Sequence, residues 1–184
     1  MRRAFVLVLG LVGSEDLAWD ALRSDSMVAR MLLLHVVLPL SATTSLAWAV
    51  GTSLMPLVSG AEPAFAWVFV RTFLLCIAAI ALLILALVVL LPMYGCRSDW
   101  RGASLLASAS AMPMLLCGVL LFYPKAVLVM VPAALHAAYL LYSGSQRMLA
   151  VAPADAAEYS AVVMLLALGL TMGLGAMLTR LGFV

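Results

Sequence analysis

Two histidines stand inside apolar runs that otherwise hold almost no ionisable side chains, and they raise the first chemical question. His35 lies five residues past Arg30, about 7–8 Å along a helix, and His136 lies seven residues before Ser143, about 10 Å. If the two runs cross a membrane in opposite directions, both imidazoles reach a similar depth. An intramembrane imidazole pair could pass a proton, ligate a haem through opposed rings or contribute to a metal site. Two ligands do not close a metal site, and no adjacent Cys, Asp or Glu completes one. A packing pair is the plainer reading, and no cofactor is expected. Cys76, Cys96 and Cys117 are odd in number and lack a CxxC spacing. They imply neither a disulfide framework nor a zinc knuckle, and read as small buried apolar residues. Glu62, Asp99, Asp155 and Glu158 fall in loops or at helix ends. Acidic groups within the spans would signal ion coupling, so a proton- or sodium-driven transporter is disfavoured. There is no nucleophile elbow, P-loop, HExxH or catalytic carboxylate pair, so no enzyme is expected.

The elements that position these residues follow from composition. The 184 residues are 67% hydrophobic and 10% charged, with mean hydropathy +1.21. A soluble domain carries roughly 25% charged residues, so this chain lacks the polar atoms to coat a water-facing surface. The formal net charge of +2 is dispersed and shows no basic stripe, which excludes a nucleic-acid interface. Apolar runs of about 20 residues predict five transmembrane helices, over 27–54, 68–91, 103–122, 126–142 and 160–181. The expected fold is an all-α membrane protein, a five-transmembrane-helix bundle over 27–184 with an N-terminal cytoplasmic or interfacial segment, 1–26. Residues 4–13 mimic a signal peptide behind Arg2 and Arg3, but no A-x-A site follows, and retention at the membrane surface is expected. Residues 14–25 can form a short amphipathic helix with Leu17, Ala18, Ala21 and Leu22 on one face.

Arg2, Arg3, Arg23, Arg30, Arg97, Arg101 and Arg147 fall on one side of such a bundle, against Arg71, Lys125 and Arg180 on the other. The positive-inside rule then predicts a cytoplasmic N-terminus and a periplasmic C-terminus. Pro39, Pro113 and Pro132 are expected to kink their spans. Gly169 and Gly173 form a GxxxG continued by Ala176, and Ala103, Ala107 and Ala111 form a second small-residue seam. In lipid, helices associate by close backbone approach, so each seam is a helix-packing or a partner face. Internal packing is the expectation favoured for both. Between the last two apolar runs lies the polar island "YLLYSGSQRMLAVAPADAAEYS". It reads as a cytoplasmic turn in which Pro153 sits near a first helical turn, and Asp155 and Glu158 complement the positive end of the final helix.

The stretch "YPKAVLVMVPAALHAAYLLYSGSQRMLAVAPADAAEYSAVV" resembles the end of bacterial members of the Yip family, named for Ypt-interacting proteins. The matching residues are Pro132, Tyr139, Leu140, Leu141, Tyr142, Gly144, Met148, Leu149, Pro153, Ala157 and Tyr159, with Arg147 in the same loop. The earlier "AWDALRSDSMVARMLLLHVVLPL" is similar to the family's opening at Trp19, Pro39 and Leu40. The resemblance implies five spans, a cytoplasmic N-terminus and, for bacterial members, the inner membrane. Eukaryotic relatives bind Rab-type GTPases through an Asp-Leu-Tyr-Gly-Pro-like motif that has no counterpart here, so GTPase binding does not transfer. The resulting expectation is a non-enzymatic inner-membrane accessory or scaffold subunit whose partners are the lipid bilayer and other membrane subunits or itself. The alternatives are a small permease or channel lined by the kinked helices, and a haem- or metal-binding subunit using His35 and His136.

Overall fold

The computed structural model describes Trp19 and residues 32–54 and 65–180 of the chain, and among these residues there is no strand. Five helices are long and apolar enough to cross a membrane, over Leu33–Ser53, Phe65–Tyr94, Trp100–Phe122, Ala126–Met148 and Ala156–Arg180. The chain is a multi-pass, all-α membrane protein. Its α-helical cores are α1 (Leu38–Leu54), α2 (Phe65–Leu90), α3 (Trp100–Gly118), α4 (Met130–Met148) and α5 (Ala156–Arg180). Neighbours close a ring in the order α1, α2, α5, α4, α3 and back to α1, with α2 also touching α3 across it. The connections at residues 95–99 and 149–155 define a basal end, and the α3–α4 connection lies at the opposite, apical end.

Four of the spans, all but the first, reach beyond the apolar runs that predict them. The second span reaches back to Phe65 and forward through a 3₁₀ turn, Leu91–Tyr94, closed by Gly95 at φ +72°, a left-handed cap that glycine adopts without strain. The third starts at Trp100 because Asp99 caps it, its carboxylate accepting from the Arg101 N–H at 3.0 Å. The fourth runs on to Met148, six residues past the expected exit, and the fifth begins at Ala156 rather than 160. Residues 27–31 of the first expected span, and 1–18 and 20–26 of the N-terminal segment, lie outside the described residues.

The prolines act in three different ways. Before Pro39 the backbone widens into a π turn, Leu33–Val37, in which the Leu38 N–H reaches the Leu33 carbonyl. A proline ring clashes with the carbonyl four residues back, here that of His35, and a widened turn relieves that crowding. Pro113 alone stands well inside a continuous α-helix. Pro132 falls in the first turn of α4, after the 3₁₀ stretch Pro124–Val129, where no N–H is required.

Small residues set the closest approaches. At the end of α3 the helix tightens, so the Val119 N–H bonds to Leu116 and Cys117. The Leu115 carbonyl, which an α-helix would pair with that N–H, instead accepts from the Thr44 hydroxyl of α1 at 2.8 Å. Gly118 makes this approach possible, since a Cβ there would lie 2.5 Å from Thr44 Cγ2. Ala103 and Ala107 are fully buried between helices, as a packing seam requires.

Candidate functional site

The polar island is two structures. Its first half, from Ser143 to Met148, is the last part of α4 rather than loop, and Gly144 and Ser145 are buried in the bundle. The Ser145 hydroxyl donates to the Tyr142 carbonyl at 2.8 Å and lies 3.5 Å from the Ser160 hydroxyl of α5. The polar composition read as an exit from the membrane because small buried hydroxyls that satisfy themselves on their own helix cannot be told from loop residues by type. The second half is a tight turn. The Leu149 and Val151 N–H groups both reach the Ser145 carbonyl, at 3.2 and 3.3 Å, with Ala150 at φ +56° between them. Left-handed alanine costs of order 1 kcal/mol, and it turns the Ala150 carbonyl toward the Cys96 thiol at 3.6 Å. Pro153 lies in the turn residues just ahead of α5, outside the helix.

Tyr159 ties this turn to the bundle. It is fully buried, and its hydroxyl donates to the Leu87 carbonyl at 2.7 Å, near the end of α2, just ahead of the 3₁₀ turn Leu91–Tyr94. Its ring meets Tyr94 edge to face at 5.2 Å and 78°, and the Tyr94 hydroxyl reaches Glu158 at a long 3.4 Å. Tyr159→Phe keeps the ring and loses one buried hydrogen bond. It is expected to cost about 1 kcal/mol, read as a lower unfolding midpoint in detergent. Tyr139 and Tyr142 are exposed on α4, and Arg147 is exposed in its last turn.

The histidines do not share one environment. His35 is exposed, in the π turn before α1, whose packing partners are α1 and α3. His136 is half-buried on α4 with its ring 6.3 Å from Tyr139, and its Nε2 is buried without a hydrogen-bond partner among the described residues. No group of three or more His, Cys, Asp or Glu that could hold a metal occurs among the described residues. The Ser41 and Ser108 hydroxyls are likewise buried without a partner there.

The two small-residue seams separate. Ala103 and Ala107 face the bundle, and Ala111 is half-buried. Gly169, Gly173 and Ala176 are exposed, and a Cβ added at either glycine would meet nothing within 4 Å. Internal packing, the role favoured for this pair by spacing, falls instead to Gly51, Gly118 and Gly144. Spacing identifies a small-residue face without saying which way it points.

Trp19 carries a further signal that residue type alone did not place. It is 1% exposed and belongs to the main core cluster with Leu106, Leu140 and Leu141. A Cβ on Gly144 would collide with Leu106 and come within 2.8 Å of the Trp19 ring. No protein family, characterised protein or solved structure matches the chain.

Proposed function

We propose that this protein is a non-enzymatic accessory or scaffold subunit of a membrane assembly, holding a helix of another membrane protein against the apical half of α5. The observation that carries the reading is the uneven burial of that helix. Its buried residues, Ala156, Tyr159, Ser160, Val163 and Ala167, all fall in the basal half, and none from Leu168 to Arg180 is buried. The half without buried residues is the half that bears Gly169 and Gly173. Where lipid is the solvent, apolar surface gives no drive toward association, whereas a glycine seam lets two backbones come close enough for strong dispersion attraction.

The excess of arginine before the first span and at the basal end supports a cytoplasmic basal face. The resemblance to bacterial Yip proteins supports placement in the bacterial inner membrane, without assigning an activity.

The test is gentle solubilisation of tagged protein, with identification of whatever co-migrates at fixed stoichiometry. The Gly169→Leu, Gly173→Leu double variant is expected to lose that companion at least ten-fold while unfolding at the wild-type temperature, because a side chain at either glycine points into open space. A companion retained in full by the double variant removes α5 from the interface. A wild-type protein that always migrates alone removes the accessory reading itself.

A further inference from the structure

The ring of helices leaves space between its members. It encloses a cavity of about 400 Å³ reached by residues of all five, including Trp48 of α1, Ala79 of α2, Ala111 of α3, Ala137 of α4 and Met164 of α5. On α2 its wall runs from Thr72 to Leu83, which begins about 10 Å inside Phe65 and stops about 16 Å short of Tyr94. The space therefore lies at hydrocarbon depth, displaced toward the apical side.

No charged residue and no histidine contributes to the wall among the described residues. Five of its side chains carry a polar group, Thr44, Trp48, Thr72, Cys76 and Ser110, yet the surface they present to the cavity is almost wholly apolar. The Thr44 hydroxyl donates to Leu115 at 2.8 Å, and the Ser110 hydroxyl donates to Ala107 at 3.2 Å. Little polar surface is left to meet a polar atom. A water needs two to four polar partners, so water filling is disfavoured, and a polar solute would be desolvated without compensation. An empty space of this size is costly too, because the atoms lining it lose their dispersion partners. At about 30 Å³ per water-sized group, the cavity has room for about thirteen heavy atoms.

We propose that this cavity holds one hydrocarbon chain of a bilayer lipid. The chain enters laterally from the membrane, since Trp48 and Met164 each keep 37% of their surface exposed and the cavity reaches past them. Met114, Met130 and Met164 suit such an occupant, because unbranched thioether side chains adapt to a flexible chain as it settles. The driving force is the dispersion attraction between the chain and walls that otherwise face empty space. It is not the hydrophobic effect, since the chain leaves one apolar medium for another. This site is separate from the exposed face of α5 and stands or falls without it.

The test uses vesicles of phosphatidylethanolamine and phosphatidylglycerol doped with a phospholipid carrying a diazirine near the end of one acyl chain. On irradiation, peptides bearing Met114 or Met130 are expected to be labelled at least five-fold more than the outward Leu165 and Leu168. Ala111→Phe and Ala137→Phe fill the space, and each is expected to abolish that excess while labelling at Leu165 stays constant. Labelling no greater than at the outward leucines, or an excess that both filled variants retain, overturns the proposal. Native mass spectrometry of the wild-type protein decides independently of any variant. One retained lipid per chain supports the site, its mass separating an acyl from a prenyl chain, and no retained lipid at any detergent concentration overturns it.

Discussion

Replacing Gly51 by alanine is expected to lower the thermal unfolding midpoint in detergent by about 6–12 °C. Gly51 is buried on α1, where a Cβ would collide with the carbonyl oxygen of Leu121 and lie 3.0 Å from that of Phe122. Both obstacles are backbone atoms at the end of a 3₁₀ turn, so no side-chain rotation can relieve them. Either α1 moves away from α3 or the turn unwinds, and both options disturb the neighbouring Thr44–Leu115 hydrogen bond. Overpacking of this kind costs about 1–3 kcal/mol, and the backbone obstacles place this case near about 3. For a chain of this size each kcal/mol moves the midpoint by about 2–4 °C. Gly173→Ala is the matched control, since a methyl there meets nothing within 4 Å, and it is expected to melt with the wild type. Equal midpoints for Gly51→Ala and the control would show that the α1–α3 approach contributes little.

Trp19→Ala is expected to be as damaging, at about 3 kcal/mol, through a different cause. The side chain is 1% exposed and packs in the core beside Leu106 and Gly144, so its removal leaves a large hole at the basal end. The indole is therefore an anchor at the basal end of the bundle. Gly144→Ala separates anchoring from general packing. In the wild type its methyl competes with both the indole and Leu106 and is expected to destabilise. In the Trp19→Ala background that penalty is expected to shrink by about 1 kcal/mol or more, since neighbours in contact do not add. Additive costs, measured as unfolding midpoints across the four proteins, would place Trp19 elsewhere.

These residues also mark where sequence reasoning stopped. Five spans were legible because hydrocarbon admits only helices with long apolar runs, a constraint that acts on each segment separately. The true ends were less legible. Ser143, Gly144 and Ser145 read as an exit, yet Gly144 is small so that Trp19 can sit against it, and Ser145 bonds to its own helix. Asp99 as a cap was a local signal of known form, and the third span could have been started there. Gly169 and Gly173 show the opposite failure, a motif plain in the sequence whose facing is set by the rotation of α5. Tyr159 orients that helix by bonding to Leu87, 72 residues earlier in the chain.

The sequence by itself determined the environment and the architecture class. Composition left no means of covering a water-facing surface, and each apolar run was long enough to cross a bilayer alone. Tertiary structure decided the order of helices around the ring, which glycines touch backbone, the burial of Trp19 and the cavity at the centre. The physical reason is that in lipid the helices are not sorted by hydrophobicity, since outward and inward residues are apolar alike. Their arrangement is set by shape and by a few hydrogen bonds between distant residues, and neither is periodic along the chain.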